Sequence, residues 1–234
     1  MRGVVIKGFI PTSLIDYPGK ICSIVFLPRC NFSCPFCFNP EMVSDSAELK
    51  EINQEEIFKY LESQRKWIDG VCLTGGEPTL HEGLPELISE IKKRGFLVKL
   101  DTNGSNPEML KKLLDEKLVD YVAMDIKAPL EKYERVTNAK VNLDSIQRTV
   151  DLIRNSDVEY EFRSTVVPGL FDKNDAIAIG KWLKGSKKYF LQQFRPEKTL
   201  NKSFQNEKQY TPEELKEFVE LMKPYFEKIE VRGV

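Results

Sequence analysis

Three cysteines, Cys30, Cys34 and Cys37, lie within eight residues with the spacing C-x3-C-x2-C. A loop of this length can fold back so that its three sulfurs meet at a metal ion or an iron–sulfur cluster. Structural zinc sites and ferredoxin clusters usually take four protein ligands, so three thiols leave one position open. In a cube of four irons and four sulfides, the open iron could bind a small molecule and pass it an electron. A zinc site completed by a remote Cys or His, or three buried thiols, are the simpler interpretations.

A second motif, Gly75-Gly76-Glu77, follows a short apolar stretch at residues 71–74 and precedes a proline. Two glycines allow backbone carbonyls to approach a ligand where a Cβ atom would collide with it. Carbonyls and a carboxylate directed at one point suit an ammonium group. Taken alone, this sequence is more often only a tight turn.

Acidic residues follow the next two apolar stretches, with Asp101-Thr102-Asn103 after the first and Asp125 and Lys127 at the end of the second. At neighbouring strand ends the two aspartates would lie close together, and paired buried carboxylates need a cation or a shared proton. The oxygens of Asp101, Thr102 and Asp125 predict a site for a monovalent ion or Mg²⁺. Lys127 is then expected to meet a ligand carboxylate. The alternative is a helix cap at Asp101 or Asn103 and a surface lysine.

Three weaker candidates lie further along the chain, and one histidine lies before them. Arg163 ends a predicted strand, and because a guanidinium keeps its charge we expect a carboxylate partner for it. Gln193 and Arg195 lie at the end of the following strand and are candidates for ligand or partner contacts. His81 is expected at the surface or in a capping role.

The elements that would position these residues alternate between strand and helix. Strands are predicted at residues 21–27, 71–74, 96–100, 121–126, 158–167, 189–194 and 229–231, and helices at 53–67, 84–93, 107–116, 143–154, 175–183 and 212–226. About six strand–helix pairs indicate a parallel sheet with helices on its outer face. Six pairs are too few for a closed eight-stranded barrel. We favour an open, partial barrel over a doubly wound sheet, although periodicity does not separate these two folds.

Composition limits the remaining possibilities. The chain has 234 residues, enough for one buried core, and 35 basic against 36 acidic residues, so it lacks the basic field of non-specific nucleic-acid binding. It has no apolar run of about 18 residues and no signal-peptide pattern. It has five cysteines, which is an odd number, and three of them are clustered. Both features argue against a disulfide framework. We therefore expect a soluble cytoplasmic protein without membrane or nucleic-acid partners, in which Cys22 and Cys72 are inert core thiols.

The cysteine triad together with the Gly-Gly-Glu motif resembles the radical S-adenosylmethionine (SAM) enzymes. The resemblance implies an α/β fold of the partial (β/α)6 barrel type and a [4Fe–4S] cluster held by Cys30, Cys34 and Cys37. In that family SAM chelates the fourth iron, and the reduced cluster cleaves it to a 5′-deoxyadenosyl radical. The difficult chemistry then belongs to the cluster and SAM, with no further catalytic residue.

The resemblance also implies roles in binding SAM. Gly75, Gly76 and Glu77 are expected to bind its methionyl amino group, and the backbone of Phe36 to contact its adenine. Beside the methionine moiety, Asp101, Thr102 and Asp125 are expected to form a monovalent-cation site, as in glycyl-radical-enzyme activating enzymes, with Lys127 near the SAM carboxylate and Arg163 near this carboxylate or the ribose. Phe38 is a departure, because many activating enzymes carry histidine at that position.

Residues 8–20, the triad and Asn39-Pro40 look like anaerobic ribonucleoside-triphosphate reductase activating proteins. This implies that the protein abstracts hydrogen from a glycine of a partner glycyl-radical enzyme and receives its electron from ferredoxin or flavodoxin. We expect one domain over residues 1–234, comprising an edge segment at 1–20, a core at 21–196 and a carboxy-terminal loop and helix at 197–234. Residues 197–209 are a candidate mobile loop.

Two alternatives remain open. One is a radical SAM enzyme that acts on a small molecule, such as a 7-deazapurine-type substrate or a modified nucleoside. The other is a non-catalytic zinc-binding module that uses the three cysteines and one more ligand.

Overall fold

The computed structural model describes residues 4–43 and 49–233, and strands and helices alternate along them. The strands are β1 (Gly8–Ser13), β2 (Cys22–Leu27), β3 (Gly70–Gly75), β4 (Leu97–Thr102), β5 (Tyr121–Asp125), β6 (Glu159–Val166), β7 (Ser186–Gln193) and β8 (Phe226–Arg232). The helices are α1 (Pro40–Val43), α2 (Gln54–Ser63), α3 (Leu84–Lys93), α4 (Pro107–Asp115), α5 (Tyr133–Thr137), α6 (Leu143–Arg154), α7 (Lys173–Trp182) and α8 (Pro212–Met222).

The edge strand β1 is antiparallel to its neighbour in the sheet. It pairs with β2, and the register shifts between Ile10 and Ser13. Pro11 lies inside this irregularity, where a residue that lacks a backbone N–H is tolerated. The Pro11 carbonyl instead accepts a hydrogen bond from the Ser23 hydroxyl at 2.6 Å. The predicted edge segment at residues 1–20 therefore contains a strand, and its residues 1–3 lie outside the described residues.

In the first compact unit, which comprises residues 1–31, 41–123 and 144–159, the strands β2, β3 and β4 pair in parallel. The register sets Ile24 beside Cys72 and Cys72 beside Lys99. Strand β2 is apolar along almost its whole length, as expected for a parallel strand covered on both faces. Amphipathic helices flank these strands, and α3 and α4 bury Leu87, Ile91, Leu110 and Leu113.

In the second unit, which comprises residues 32–40, 124–143 and 160–234, β6, β7 and β8 pair in parallel. Strand β8 is longer than the predicted strand at 229–231, because its register with β7 begins at Phe226 opposite Ser186. Helix α8 ends at Met222 instead of at the predicted residue 226. Pro224 cannot donate a backbone hydrogen bond, and a short 3₁₀ turn, Lys223–Tyr225, follows the helix.

Two further helix boundaries differ from the predictions. Helix α2 begins after its cap Asn53, whose side chain accepts from the backbone N–H of Glu55, but it ends at Ser63 instead of at residue 67. Helix α7 begins at Lys173, two residues before the predicted start, because Asp172 and Asp175 form a reciprocal capping box there. The short helices α1 and α5 were not predicted.

The strand order runs β1 to β8 in chain order. In a doubly wound sheet the order of the strands reverses at a switch point between the two halves. This order contains no reversal, so the predicted α/β fold with the strand order of a partial barrel is confirmed. The single-domain organisation over residues 1–234 stays a prediction, and residue 234 lies outside the described residues. Across the described residues, no helix has both the length and the apolar character needed to cross a membrane.

An ion pair between a buried carboxylate and a partly exposed arginine connects β6 with β8. The Glu161 side chain is fully buried, and its two oxygens accept hydrogen bonds from Arg232 Nη1 at 2.5 Å and Nη2 at 2.8 Å. The Arg232 guanidinium also lies 3.4 Å from the centre of the Phe190 ring. A bidentate pair stacked on an aromatic ring is a geometry that arginine fits and lysine does not.

Removal of this arginine should therefore be costly. We expect Arg232→Met to lower the free energy of unfolding by about 3 kcal/mol, because it leaves a buried carboxylate without its bidentate partner. Urea unfolding followed by circular dichroism measures this change. Lys223→Met removes the exposed pair with Glu220 and should cost less than about 1 kcal/mol. Equal losses in the two variants would contradict the assigned role of the Arg232–Glu161 pair.

Candidate functional site

The three clustered cysteines lie in the loop that follows β2. All five cysteines of the chain are free thiols, and within the cluster Cys34 is buried whereas Cys30 and Cys37 are partly exposed. Cys30 belongs to the first unit, and Cys34 and Cys37 belong to the second. The backbone N–H of Cys37 donates to the Cys34 carbonyl at 3.0 Å, which closes a turn between these two thiols.

The turn after β3 fixes the backbone just before Cys30. The N–H of Gly76 donates to the Leu27 carbonyl at 2.8 Å, and the N–H of Glu77 donates to the Arg29 carbonyl at 2.7 Å. A Cβ atom at Gly76 would lie 2.1 Å from the Arg29 carbonyl oxygen, and one at Gly75, where φ is +121°, would lie 2.4 Å from the Leu27 oxygen. Both glycines are therefore required by backbone packing on this segment, whatever contact they make with a ligand.

His81 also holds this segment, and its predicted surface location is wrong. Its side chain is only 5% exposed, and Nε2 lies 2.7 Å from the Pro28 carbonyl oxygen. The alternative capping role is met by its backbone, since His81 is the C-cap of the 3₁₀ turn Pro78–Leu80 and its N–H donates to the Pro78 carbonyl at 3.1 Å. The imidazole instead bonds to a carbonyl between β2 and Cys30. The sequence carries no local signal for this pairing, since 53 residues separate the two partners.

Glu77 connects the loops that follow β3 and β4. Its Oε1 accepts hydrogen bonds from the backbone N–H and hydroxyl of Thr79 and from the Thr102 hydroxyl, and its Oε2 accepts from the backbone N–H of Asn103 at 2.6 Å. A carboxylate has about four lone-pair positions. Three of these hydrogen bonds fall on Oε1 and one on Oε2, so the Glu77 side chain acts as a clamp between the two loops, and Oε2 keeps a lone pair that can face a ligand ammonium.

The Glu77 carboxyl is 1% exposed. Burial raises the pKa of Glu77 above its ordinary range, although each of the four hydrogen bonds acts in the opposite direction. Within the first unit this carboxyl is held by neutral donors rather than by a cation.

Asn103 extends the same network to the first cysteine. Its Nδ2 lies 3.8 Å from the Cys30 sulfur and 2.9 Å from Asn31 Oδ1. An amide donor directed at a cysteine sulfur favours the thiolate, the form that binds metals. The sequence pointed to the motif that contains Asn103 but did not predict this contact.

The two remaining oxygen ligands predicted in the first unit already have partners. Asp101 forms an ion pair with Lys99, which lies two residues earlier on β4 and is 2% exposed. The Thr102 hydroxyl donates to Glu77 at 2.8 Å and accepts from the backbone N–H of Gly104 at 3.1 Å. Lys99 was missed, although a lysine in an apolar strand two residues before an aspartate was a visible signal.

In the second unit, Asp125 lies between two cations. Its Oδ2 is 2.9 Å from Lys127 Nζ, and its Oδ1 is 2.5 Å from Arg163 Nε. The expected carboxylate partner of Arg163 is therefore Asp125. Burial opposes ionisation of this carboxyl, but Arg163 and then Lys127 outweigh it and hold the pKa of Asp125 well below its usual range. The predicted proximity of Asp101 and Asp125 stays a prediction, because each belongs to a different unit.

The charge of Lys127 also interacts with Cys34 and Cys37. Burial disfavours its ammonium form, but Asp125 and then the thiolate forms of Cys34 and Cys37 outweigh burial and raise the pKa of Lys127. One carboxylate, one ammonium and one guanidinium give this group a net charge of +1. A surplus positive charge suits thiolates and a ligand carboxylate.

The other predicted contacts in the second unit are less specific. The Phe36 side chain is buried, and Phe38 is half exposed. Gln193 Nε2 donates to the Tyr210 carbonyl at 2.6 Å, and Arg195 is exposed. The predicted mobile loop at 197–209 contains a 3₁₀ turn, Lys202–Asn206, and the N–H of Asn201 donates to the Pro35 carbonyl of the cysteine loop at 2.9 Å.

The donor set fits an iron–sulfur cluster. Three free thiols lie on one short loop, Cys30 accepts an amide hydrogen bond, and the Lys127 ammonium favours ionisation of Cys34 and Cys37. Within residues 4–43 and 49–233, no group of three or more His, Cys, Asp or Glu side chains forms a site for a single metal ion. A cluster places its thiolates on separate irons and does not need their sulfurs to meet at one ion.

Comparison with known proteins assigns a family to this arrangement. The family model of the Radical SAM superfamily matches residues 24–178. The chain is 32% identical over 234 residues to a Methanocaldococcus jannaschii protein that bears the name glycyl-radical enzyme activating enzyme, covering 98% of this chain and 96% of that protein.

Two solved structures share the fold. SuiB of Streptococcus suis, solved with S-adenosylmethionine, aligns with a TM-score of 0.66 at 12% identity over 90% of this chain and 52% of its own. A domain of pyruvate-formate lyase-activating enzyme from Bacteroides vulgatus aligns with a TM-score of 0.55 at 16% identity over 70% of this chain and 99% of its own.

The buried Glu77 carboxyl predicts an unusual pH dependence. Burial sets its pKa in the folded state above the unfolded value of about 4.3. The folded state then retains a proton that the unfolded chain has lost, so this group's contribution to stability falls as pH rises above about 4.3. Glu77→Gln cannot titrate. We expect the unfolding free energy of wild type relative to Glu77→Gln to fall as the pH is raised above about 4.3, by at most about 1.4 kcal/mol per pH unit.

Urea unfolding at several pH values measures this trend. Glu108→Gln is the matched control, because Glu108 forms an exposed ion pair with Arg148, and it should show little pH dependence. A wild-type advantage over Glu77→Gln that grows as pH rises would show instead that the four hydrogen bonds outweigh burial.

The packing of Gly76 on Arg29 predicts a steric effect on the cysteine loop. Gly76→Ala should lower the free energy of unfolding by about 3 kcal/mol or more, because both the new methyl group and the Arg29 carbonyl are held by backbone. It should also reduce the iron and sulfide content after anaerobic reconstitution. Gly169→Ala introduces a residue at a φ of +80° with no atom within 4 Å of the new Cβ and should cost only about 1–2 kcal/mol. Normal iron content in Gly76→Ala would contradict the prediction, because it would show that the packing of this turn does not affect cluster binding.

Proposed function

Because the chain belongs to the radical S-adenosylmethionine superfamily and is a radical SAM enzyme, we propose that it activates a glycyl-radical enzyme. The observation that carries this proposal is the similarity over nearly the whole of both chains to the Methanocaldococcus jannaschii protein that is named for this activity. Family membership also replaces the interpretation of the cysteines as a non-catalytic zinc module.

The [4Fe–4S] cluster that the family implies would be held by Cys30, Cys34 and Cys37. When bound, the cluster supplies the electron for reductive cleavage of SAM, which generates the 5′-deoxyadenosyl radical that takes a hydrogen atom from the target. The chain's own residues prepare the site for this cluster. Asn103 donates to the sulfur of Cys30, and the Lys127 ammonium favours ionisation of Cys34 and Cys37.

SAM carries an ammonium group, a carboxylate and an adenosine, and different residues would bind each part. The surplus positive charge around Asp125, Lys127 and Arg163 suits the carboxylate. The backbone of Gly75 and Gly76 is proposed to meet the ammonium together with Glu77, whose Oε2 accepts one of the four hydrogen bonds while Oε1 accepts three. The backbone of Phe36 is proposed to contact the adenine.

The partner is proposed to be an anaerobic ribonucleoside-triphosphate reductase, with ferredoxin or flavodoxin as electron donor. The run at residues 8–20, the cysteine triad and Asn39-Pro40 support this choice by their resemblance to the activating proteins of that reductase. A glycine is a suitable target, because without a side chain its Cα–H bond is sterically accessible and its loop can adopt extended or left-handed conformations.

Electron paramagnetic resonance tests the proposal directly. The anaerobically reconstituted, reduced protein is mixed with SAM and the anaerobic ribonucleotide reductase of the same organism. We expect a persistent glycine-centred doublet that requires all components, together with 5′-deoxyadenosine. Cys34→Ala should abolish both products, because it removes one cluster ligand. Cys22→Ala is the matched control, since it removes a core thiol, and it should retain both.

Two other outcomes identify what is wrong. SAM cleavage that persists in Cys34→Ala would reject the proposed ligand set. If 5′-deoxyadenosine forms but no doublet appears, the radical chemistry stands and the glycyl-radical partner is rejected. The substrate would then be another protein or a small molecule, and a product that scales with an added metabolite in the absence of any partner would identify the latter.

A further inference from the structure

Lys99 is a buried cation that the proposed function does not use. Its side chain is 2% exposed, and the parallel register of the first unit sets it beside Cys72, which in turn lies beside Ile24. Its ammonium lies 3.7 Å from the Cys72 sulfur. An ammonium in such a row is tolerated only when a buried partner balances its charge.

Asp101 supplies that partner. Lys99 and Asp101 lie two residues apart on β4, so their side chains leave the strand on the same face, and they form an ion pair. The nearby thiol of Cys22 does not share this role, because burial in the first place, followed by Asp16, raises the pKa of Cys22 to about 12. Cys22 is therefore neutral at physiological pH, and the charge of Lys99 is balanced by a carboxylate.

This pairing bears on the cation that was expected at Asp101, Thr102 and Asp125. Asp101 already faces the Lys99 ammonium, and the Thr102 hydroxyl bonds to Glu77 and Gly104. In the second unit, Asp125 faces Lys127 and Arg163. Each carboxylate that would require a monovalent ion or Mg²⁺ therefore has a positive side chain of this chain as its partner.

We propose that the ammonium of Lys99 is the resident cation at Asp101, in place of a bound monovalent ion or Mg²⁺. In this assignment Lys99 is a positioning residue, because it acts through Asp101 and the loop that follows β4. A tethered ammonium is present at every salt concentration, whereas a bound ion stabilises the fold only at concentrations near or above its dissociation constant. The part of the proposal that concerns SAM binding rests on the proposed function, and the part that concerns the folded protein does not.

Thermal unfolding of the anaerobically reconstituted protein gives the first test. Lys99→Met keeps the length of the side chain and removes its charge, so Asp101 is left without this partner. We expect a drop of about 10 °C in the unfolding midpoint. Lys111→Met is the matched control, because Lys111 forms an exposed pair with Asp115, and its midpoint should fall by less than about 2 °C. Adding Asp101→Asn to Lys99→Met should recover part of the loss, since an amide needs no counter-charge.

The second test measures whether stability and SAM affinity depend on which cation is added. A lysine with a merely structural role would not change this dependence. The unfolding midpoint and the SAM dissociation constant are measured in KCl, NaCl or MgCl₂ and in tetramethylammonium chloride of equal ionic strength, since tetramethylammonium is too large for a carboxylate site. We expect wild type to give the same values in all four salts. Lys99→Met should gain several degrees, and severalfold in SAM affinity, in the salts of the small cations.

A specific gain by wild type in any small-cation salt would overturn the proposal, because an ion would then bind alongside Lys99. Equal midpoints for Lys99→Met and Lys111→Met would also overturn it. If Lys99→Met does not fold, the wild-type salt comparison still decides the question. Failure of SAM to bind wild type in every salt would reject the proposed function, while the unfolding midpoints would continue to test the role of Lys99.

Discussion

The placement of carboxylates at strand ends, where Glu77 and Asp101 are buried and Asp125 is partly buried, is the constraint on which the rest of this structure depends. Removing an ionised carboxyl from water costs free energy, and the protein offsets this desolvation in three different ways. Glu77 is held by four hydrogen bonds from neutral donors, Asp101 by the ammonium of Lys99, and Asp125 by an ammonium and a guanidinium. The local charge at the strand ends is thereby set residue by residue, and only the group around Asp125 carries a surplus of positive charge.

The clamp at Glu77 explains why the surrounding residues are so small and polar. For one carboxylate to accept from Thr79, Thr102 and Asn103, the loops after β3 and β4 must approach each other closely. The turn after β3 can come that close to the backbone at Leu27 and Arg29 only because Gly75 and Gly76 lack side chains. The position of the backbone before Cys30 is therefore linked to the hydrogen bonds that hold the buried Glu77 carboxyl.

Much of this arrangement was predictable from the sequence, because the patterns involved are local. Apolar runs with a helical pattern between them predicted each strand from β2 to β8, and the spacing of Cys30, Cys34 and Cys37 predicted one cysteine loop. Helix ends were predicted less well, since they depend on caps such as the reciprocal pair of Asp172 and Asp175. The hydrogen bond between His81 and Pro28 could not be predicted from the sequence, because only the pairing of strands brings residues so distant in sequence together.

The five cysteines show how surroundings decide the role of one residue type. Metal clusters bind thiolates, so a thiol that competes for iron must ionise. Burial in β2 raises the pKa of Cys22 to about 12 and keeps it protonated, even though Lys99 acts in the opposite direction. Cys30 instead accepts an amide hydrogen bond from Asn103, and the thiolates of Cys34 and Cys37 interact with the Lys127 ammonium. Lys99 and Lys127 therefore have different effects, because Lys99 is paired with Asp101 whereas Lys127 belongs to a group with a net charge of +1.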